Sequence, residues 1–441
     1  YLSMKLFDKK LLKYTWPIFI ELVLQLLVAN IDKIMVNQVS NTGASAIANA
    51  SSIMDLLIIA FTVISLSVTI LCSQLFGKGK TDKIEQLYAL GIIVNGTFGF
   101  IISIVLLLFG RNIFALMKIP NDCMSEALIY LNICSLGLAF QGIFSTYSAM
   151  FRSNGWMKQS MIASSIMNGL NIIGNYFLIP HLGVAGAAIS SVLSRIIGLT
   201  FLIIIFNLLS SIKVNFKCLN PWPSTLLKTM LKIGLPSGGE TVSYNASQMV
   251  ILTMVNMLGN SIVKVRTFAY MYAMIGYLLG CALSQASQVI IGYMIGEGNK
   301  DLAYQEAKKA TILSVILNGT TALLIFIFAE PLFSLFIDKE LLHIAKSVMF
   351  VDFILEIGRA INMTMVRSLQ AVGDIKFPVI CGILSMWFIS IPIAYYFGFV
   401  QGLGLMGIWI GMASDECLRG IIFIIRWESG KWRKKDLINN L

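Results

Sequence analysis

Apolar stretches about 20 residues long, enough for an α-helix to cross the hydrocarbon core of a bilayer, recur along this whole 441-residue chain. Twelve can be drawn: 14–36, 51–76, 87–110, 126–150, 160–180, 184–209, 228–256, 266–293, 310–329, 343–371, 377–398 and 403–426. Composition agrees, with 57% hydrophobic and 12% charged residues, where soluble chains carry about 25% charged. The mean hydropathy is +0.80. In lipid each span must satisfy its own backbone polar groups, so the expected fold is an all-α polytopic membrane protein with twelve transmembrane helices. An even number of spans puts both termini on one side. No cleavable signal peptide is expected ahead of the first span, which is expected to direct insertion itself. Tyr1 to Ser3 resemble a cloning or processing remnant ahead of Met4.

The net charge of +11 could suggest nucleic acid, but its placement points to topology. Lysine and arginine crowd alternate loops: Lys78, Lys80 and Lys83; Arg152 and Lys158; Lys213 through Lys232; Lys300, Lys308 and Lys309. The loops between hold only Arg111, Lys118, Lys264, Arg266, Lys339 and Lys346. By the positive-inside rule both termini are expected in the cytoplasm, and the chain in the cell (plasma) membrane. No nucleic-acid partner is expected.

Enzyme chemistry finds no foothold. The seven cysteines form no CxxC pair and suit packing inside spans. His181 and His343 stand without companions at metal-ligand spacing. A Walker A loop, a nucleophile elbow and an HExxH motif are all missing from the sequence. No catalytic residue, cofactor or metal is therefore expected.

The chain repeats itself. Trp16-Pro17 falls on Leu235-Pro236, Glu21 on Glu240, Met35-Val36-Asn37 on Met254-Val255-Asn256, and Gly77-Lys78-Gly79 on Gly296-Glu297-Gly298. Two six-helix halves in the same orientation follow, related by a pseudo-two-fold axis along the membrane normal, a plan used by secondary transporters. The expected division is an N-terminal lobe at 1–209, a cytoplasmic linker at 210–227, a C-terminal lobe at 228–426 and a cytoplasmic tail at 427–441.

With these motifs the chain resembles the multidrug and toxic compound extrusion (MATE) family over nearly its whole length. The residues that carry the likeness are Trp16-Pro17 leading to Asp32-x-x-Met35-Val36, Gln74-x-x-Gly77-Lys78-Gly79, and Asn171-x-x-x-Asn175 before Gly183-x-x-Gly186. The second half adds Gly234-x-Pro236, Gln288-x-x-x-Gly292, Ala371-x-Gly373-Asp374 and Gly407-x-Trp409-x-Gly411. The resemblance implies antiport, in which inward H⁺ or Na⁺ flow drives export of organic, often cationic, compounds by alternating access. It implies small organic cations and membrane lipid as partners, acting on a monomer. The alternative within the same superfamily is a flippase for lipid-linked saccharides, which would need a basic cavity. Lys33, Arg195, Arg359 and Arg419 are few for that purpose, and the last two have acids beside them.

A charge at membrane depth is expensive, about 2.5–3.5 kcal/mol at a helix centre, so the ionisable residues carry the functional question. Glu21, Gln25 and Asp32 fall within about 20–40° of one another on a helix and form a polar stripe. Lys33 lies about 100° away and cannot pair with Asp32 on the same face. The family resemblance makes Asp32 the cation-coupling residue. Relatives often place a second aspartate where Asn175 stands, one turn after Asn171, so this chain has two amides there. With a lone carboxylate, H⁺ is favoured over Na⁺, because protonation removes the cost of the charge, and Asn171 and Asn175 become partners of the neutral acid. Candidates for the substrate cavity are Gln25, Tyr130, Gln141, Glu240, Tyr244 and Ser247, with Tyr147 beside them. Glu356 with Arg359 (i, i+3) and Asp415 with Arg419 (i, i+4) are expected to be structural ion pairs.

Overall fold

A computed structural model describes residues 9–40 and 42–438, with the side chains of Ala29 and Lys33 left out of the description. The Tyr1–Ser3 remnant, Met4 and the Lys33 side chain therefore lie outside the described residues. Among the described residues the chain is helical, with no strand.

Twelve long helices follow in order among the described residues. The first six are α1 (Lys9–Asn37), α2 (Gly43–Lys78), α3 (Thr81–Leu116), the bent pair Met124–Leu136 and Leu138–Ser153 taken together as α4, α5 (Met157–Leu182) and α6 (Val184–Leu209). The second six are α7 (Ser224–Met257), α8 (Asn260–Gly296), α9 (Lys300–Ile327), α10 (Leu342–Ala371), α11 (Lys376–Val400) and α12 (Gly404–Glu428). Seven are long and apolar enough to cross a membrane, and the two arms of α4, bent by 52°, make an eighth. The other four, α1, α7, α10 and α12, carry the internal acids Glu21, Asp32, Glu240, Asp352, Glu356, Asp415 and Glu416. Glu306, buried on α9, is an exception among the helices apolar enough to cross.

Local chemistry explains the ends and breaks. α2 stops at Gly79, whose φ of 73° lies in the left-handed region, and the amide of Lys80 closes the turn on Leu75 O at 3.1 Å. Gly298, its repeat mate, has φ 83°. α11 carries two π-helical turns, Met386–Ser390 and Tyr396–Val400, flanking Pro392, whose missing N–H interrupts the regular ladder.

The chain divides into two compact units, cut differently from the sequence halves: residues 20–235 form one, and 236–438 with 9–19 the other. The cuts fall beside Pro17 in α1 and Pro236 in α7, the repeat-related prolines. Residues 210–235, from the expected linker into α7, belong to the first unit. They are tied there by Ser67 Oγ donating to Met230 O at 2.6 Å and by Gln86 Nε2 donating to Cys218 O at 3.2 Å. The core of that unit runs from Val36, Ala46 and Phe61 to Leu131 and Ala187. The other unit centres on Val255, Phe333, Leu355 and Trp409.

Candidate functional site

Two groups of buried polar residues stand out, one in each unit. In the first unit, Asp32 on α1 is buried, 9% exposed, against α5. Asn175 Nδ2 donates to Asp32 Oδ1 at 2.5 Å and lies 3.3 Å from Asn171 Oδ1. Asn171 is held in turn from α6: its Nδ2 donates to Ser191 Oγ at 3.0 Å, and Ser190 Oγ donates to its carbonyl at 2.7 Å. The i, i+4 spacing of Asn171 and Asn175 stacks both amides on one face of α5. Asn175 Oδ1 is buried and has no hydrogen-bond partner among the described residues. Tyr130 and Cys134 on α4 sit within electrostatic reach of both Asp32 and Arg195. Asp32, Asn171, Asn175 and Tyr130 thus form one neighbourhood.

The rest of the expected stripe separates. Glu21 is buried in its own socket: Arg152 Nη2 reaches Glu21 Oε1 at 3.2 Å, Ser164 Oγ donates to the same oxygen at 3.2 Å, and Ser160 Oγ donates to Oε2 at 3.4 Å. A buried carboxylate so engaged has a structural role. Gln25 is exposed and Gln141 half-buried. Tyr147 is packed edge-on against Phe206 at 5.6 Å, in a cluster with Tyr88, Phe151 and Trp156. Its ring is a core group.

The second unit holds a larger network between α10 and α12. Arg359 pairs with Glu356 and reaches Glu416 Oε1 at 3.6 Å. Arg419 Nη2 contacts Asp415 Oδ2 at 2.7 Å and Glu416 Oε1 at 3.3 Å. Asn362 Nδ2 donates to Glu416 Oε2 at 2.7 Å, and Trp409 Nε1 donates to Asp352 Oδ1 at 2.9 Å. Four acids share two arginines here, so the cluster is acidic when fully charged. Glu240 on α7 comes near it: a Cβ on Gly382 would sit 2.7 Å from Glu240 Oε1, and Arg419 acts on the same carboxylate. The glycine leaves room for the acid.

Tyr244 lines a cavity of about 210 Å³ enclosed by α7, α8, α10 and α12. Ser247 is buried, its Oγ donating to Tyr244 O at 2.8 Å, so its hydroxyl is spent on the carbonyl one turn back in its own helix. Sequence reasoning missed Asp352, Glu416, Asn362 and Trp409 as members of the network. Glu416 three residues before Arg419 was a readable signal; the reach of Asn362 and Trp409 across to the neighbouring helix was not.

Comparison with known proteins places this geometry in context. The MatE family profile matches residues 17–177 and 236–396, one match in each half. The "Uncharacterized transporter YisQ" of Bacillus subtilis is 34% identical over 435 residues, 97% of this chain and 95% of that protein. The "Probable multidrug resistance protein NorM" of Thermotoga maritima is 25% identical over 438 residues, 98% and 94% of the two chains. A crystal structure of MATE in the straight conformation superposes with TM-score 0.89 at 19% identity, covering 97% of both chains. These relatives do not favour the lipid-linked saccharide reading.

Proposed function

This chain belongs to the MATE family of multidrug efflux transporters, and we propose that it exports organic cations by antiport against protons, with Asp32 as the exchanging acid. The observation that carries the reading is the Asp32–Asn175 pair, a buried carboxylate against a carboxamide at 2.5 Å. An ionised carboxylate accepts only, whereas a protonated one must also donate. A carboxamide serves both states: its NH₂ donates to the charged acid, and rotation of the amide presents Oδ1 to the neutral one. The partnerless Asn175 Oδ1 is the acceptor that a proton on Asp32 would satisfy. A second carboxylate at position 175 would lack that symmetry.

Exchange follows from the cost of the charge. Deprotonated Asp32 attracts a cation into an apolar surrounding, where the attraction is stronger than in water. Protonation cancels the charge and releases the cation. Each acid then carries one or the other, which makes the exchange obligatory. Sodium would need several oxygen ligands around the ion, and the amide neighbours supply fewer charges than a carboxylate pair. The test is efflux of a fluorescent organic cation from proteoliposomes under separately imposed gradients. A pH gradient in sodium-free buffer is expected to drive export. Export that needs sodium and ignores the pH gradient would overturn the assignment.

A further inference from the structure

The cavity of about 210 Å³ in the second unit is lined by one guanidinium that makes no ion pair with a carboxylate among the described residues. Three charged residues line it: Arg266, Asp352 and Arg359. Arg359 is satisfied by Glu356 and Glu416, and Asp352 accepts from Trp409 Nε1 while lying in the field of Arg359. Arg266, half-buried on α8, ion-pairs with no carboxylate among the described residues. Its guanidinium sits 4.7 Å from the centroid of the Tyr270 ring, and Tyr244 lines the same cavity. A guanidinium taken out of water without a counter-ion costs free energy that a bound anion recovers, and its planar fork matches a carboxylate through two parallel N–H···O bonds.

The remaining wall sets the shape of the ligand. Tyr244, Tyr270, Tyr277 and Met274 present flat rings and a pliable thioether. The volume is below the roughly 300–1,000 Å³ usual for drug-sized ligands, so a one- or two-ring body fits better than a polycyclic one.

We propose that this cavity binds small aromatic carboxylates, with Arg266 holding the carboxylate and the tyrosines stacking on the ring. The ligand is opposite in sign to the organic cations proposed for export. The site lies wholly within residues 236–438, apart from Asp32, and binding at equilibrium requires no transport, so the two readings fail independently.

The experiment uses the full chain in phosphatidylcholine nanodiscs and measures equilibrium binding of three matched probes: 2-naphthoate, 2-naphthamide and 2-naphthylmethylammonium. Naphthoate is expected to bind at least tenfold more tightly than either of the others. Arg266→Gln should abolish that preference, while Arg266→Lys should retain part of it. The probe comparison on the unaltered chain stands whether or not the variants fold. Tighter binding of the ammonium probe, equal binding of all three, or undiminished naphthoate binding by a folded Arg266→Gln protein would overturn the proposal. Anionic lipid headgroups offer the same oxyanion chemistry, so the measurement is repeated with phosphatidylglycerol in the nanodisc. Unchanged naphthoate binding is expected, and its abolition would assign the cavity to lipid instead.

Discussion

Replacing Asp32 with asparagine separates a coupling role from a structural one, because the substitution removes the exchangeable proton while preserving the shape. Asn175 Nδ2 now donates to Asp32 Oδ1 at 2.5 Å. The new amide oxygen accepts the same N–H, and the contact relaxes toward about 2.9 Å, the usual neutral distance. Two terms oppose each other. Removing a charge from membrane depth relieves about 2.5–3.5 kcal/mol. Exchanging a hydrogen bond to a charged group, worth about 1.5–3 kcal/mol, for a neutral one worth about 0.5–1.5, gives back about 1–1.5 kcal/mol. Stability should hold or rise by about 1–2 kcal/mol. Thermal unfolding in detergent should show a Tm at or slightly above that of the parent protein. Efflux of a fluorescent cation from proteoliposomes under a pH gradient should fall to the level of protein-free vesicles. Parent-level efflux by Asp32→Asn would refute the coupling role. A Tm several degrees lower would show that the carboxylate is there to hold the helices together.

How much of this was legible in the sequence depends on whether the signal is local. The helices, the duplication and the cost of Asp32 are written in the chain's periodicity, and Asn171 and Asn175 announce a shared face by spacing alone. Glu21 was misleading. Its spacing from Asp32 suggests one stripe, yet it is claimed by Arg152, 131 positions away, and by two serines of α5. Gln25, between the two acids in sequence, is exposed although an i+4 step sets it only about 40° from Glu21. In the second unit the i, i+3 and i, i+4 pairs were readable within each helix. The bridge from Arg359 to Glu416, and the contact of Trp409 with Asp352, depend on which helices lie side by side. The unit boundary was half-legible: Pro17 and Pro236 are conspicuous, but their sequence does not say that residues 9–19 cluster with 236–438.

Further substitutions test these assignments. Arg152→Ala strands Glu21, which is 2% exposed, with serine hydroxyls alone at 3.2 and 3.4 Å among its described hydrogen-bond donors. It should cost about 3–5 kcal/mol, read as a lowered Tm, and a change within error would show that the pair is incidental. Gly142→Ala would place a Cβ 2.6 Å from Asn95 O and 2.9 Å from the Phe61 ring, and should abolish folded protein in size-exclusion profiles. Gly79→Ala meets nothing within 4 Å and should cost only the strain of φ 73°, about 1–2 kcal/mol in the same thermal assay. The remaining test concerns Asn175→Leu, which keeps the approximate volume of the side chain and removes both faces of the amide. Charged Asp32 then loses a donor and neutral Asp32 an acceptor, so proton-driven efflux should fail as it does in Asp32→Asn. Stability should move the other way, falling by about 1–3 kcal/mol as a buried carboxylate loses its partner. Combining Asn175→Leu with Asp32→Leu removes both polar groups and should recover most of that loss, because the two residues are in contact and their effects are not additive. If the double variant is as unstable as the sum of its parts, the two side chains do not interact, and the amide has no part in handling the proton.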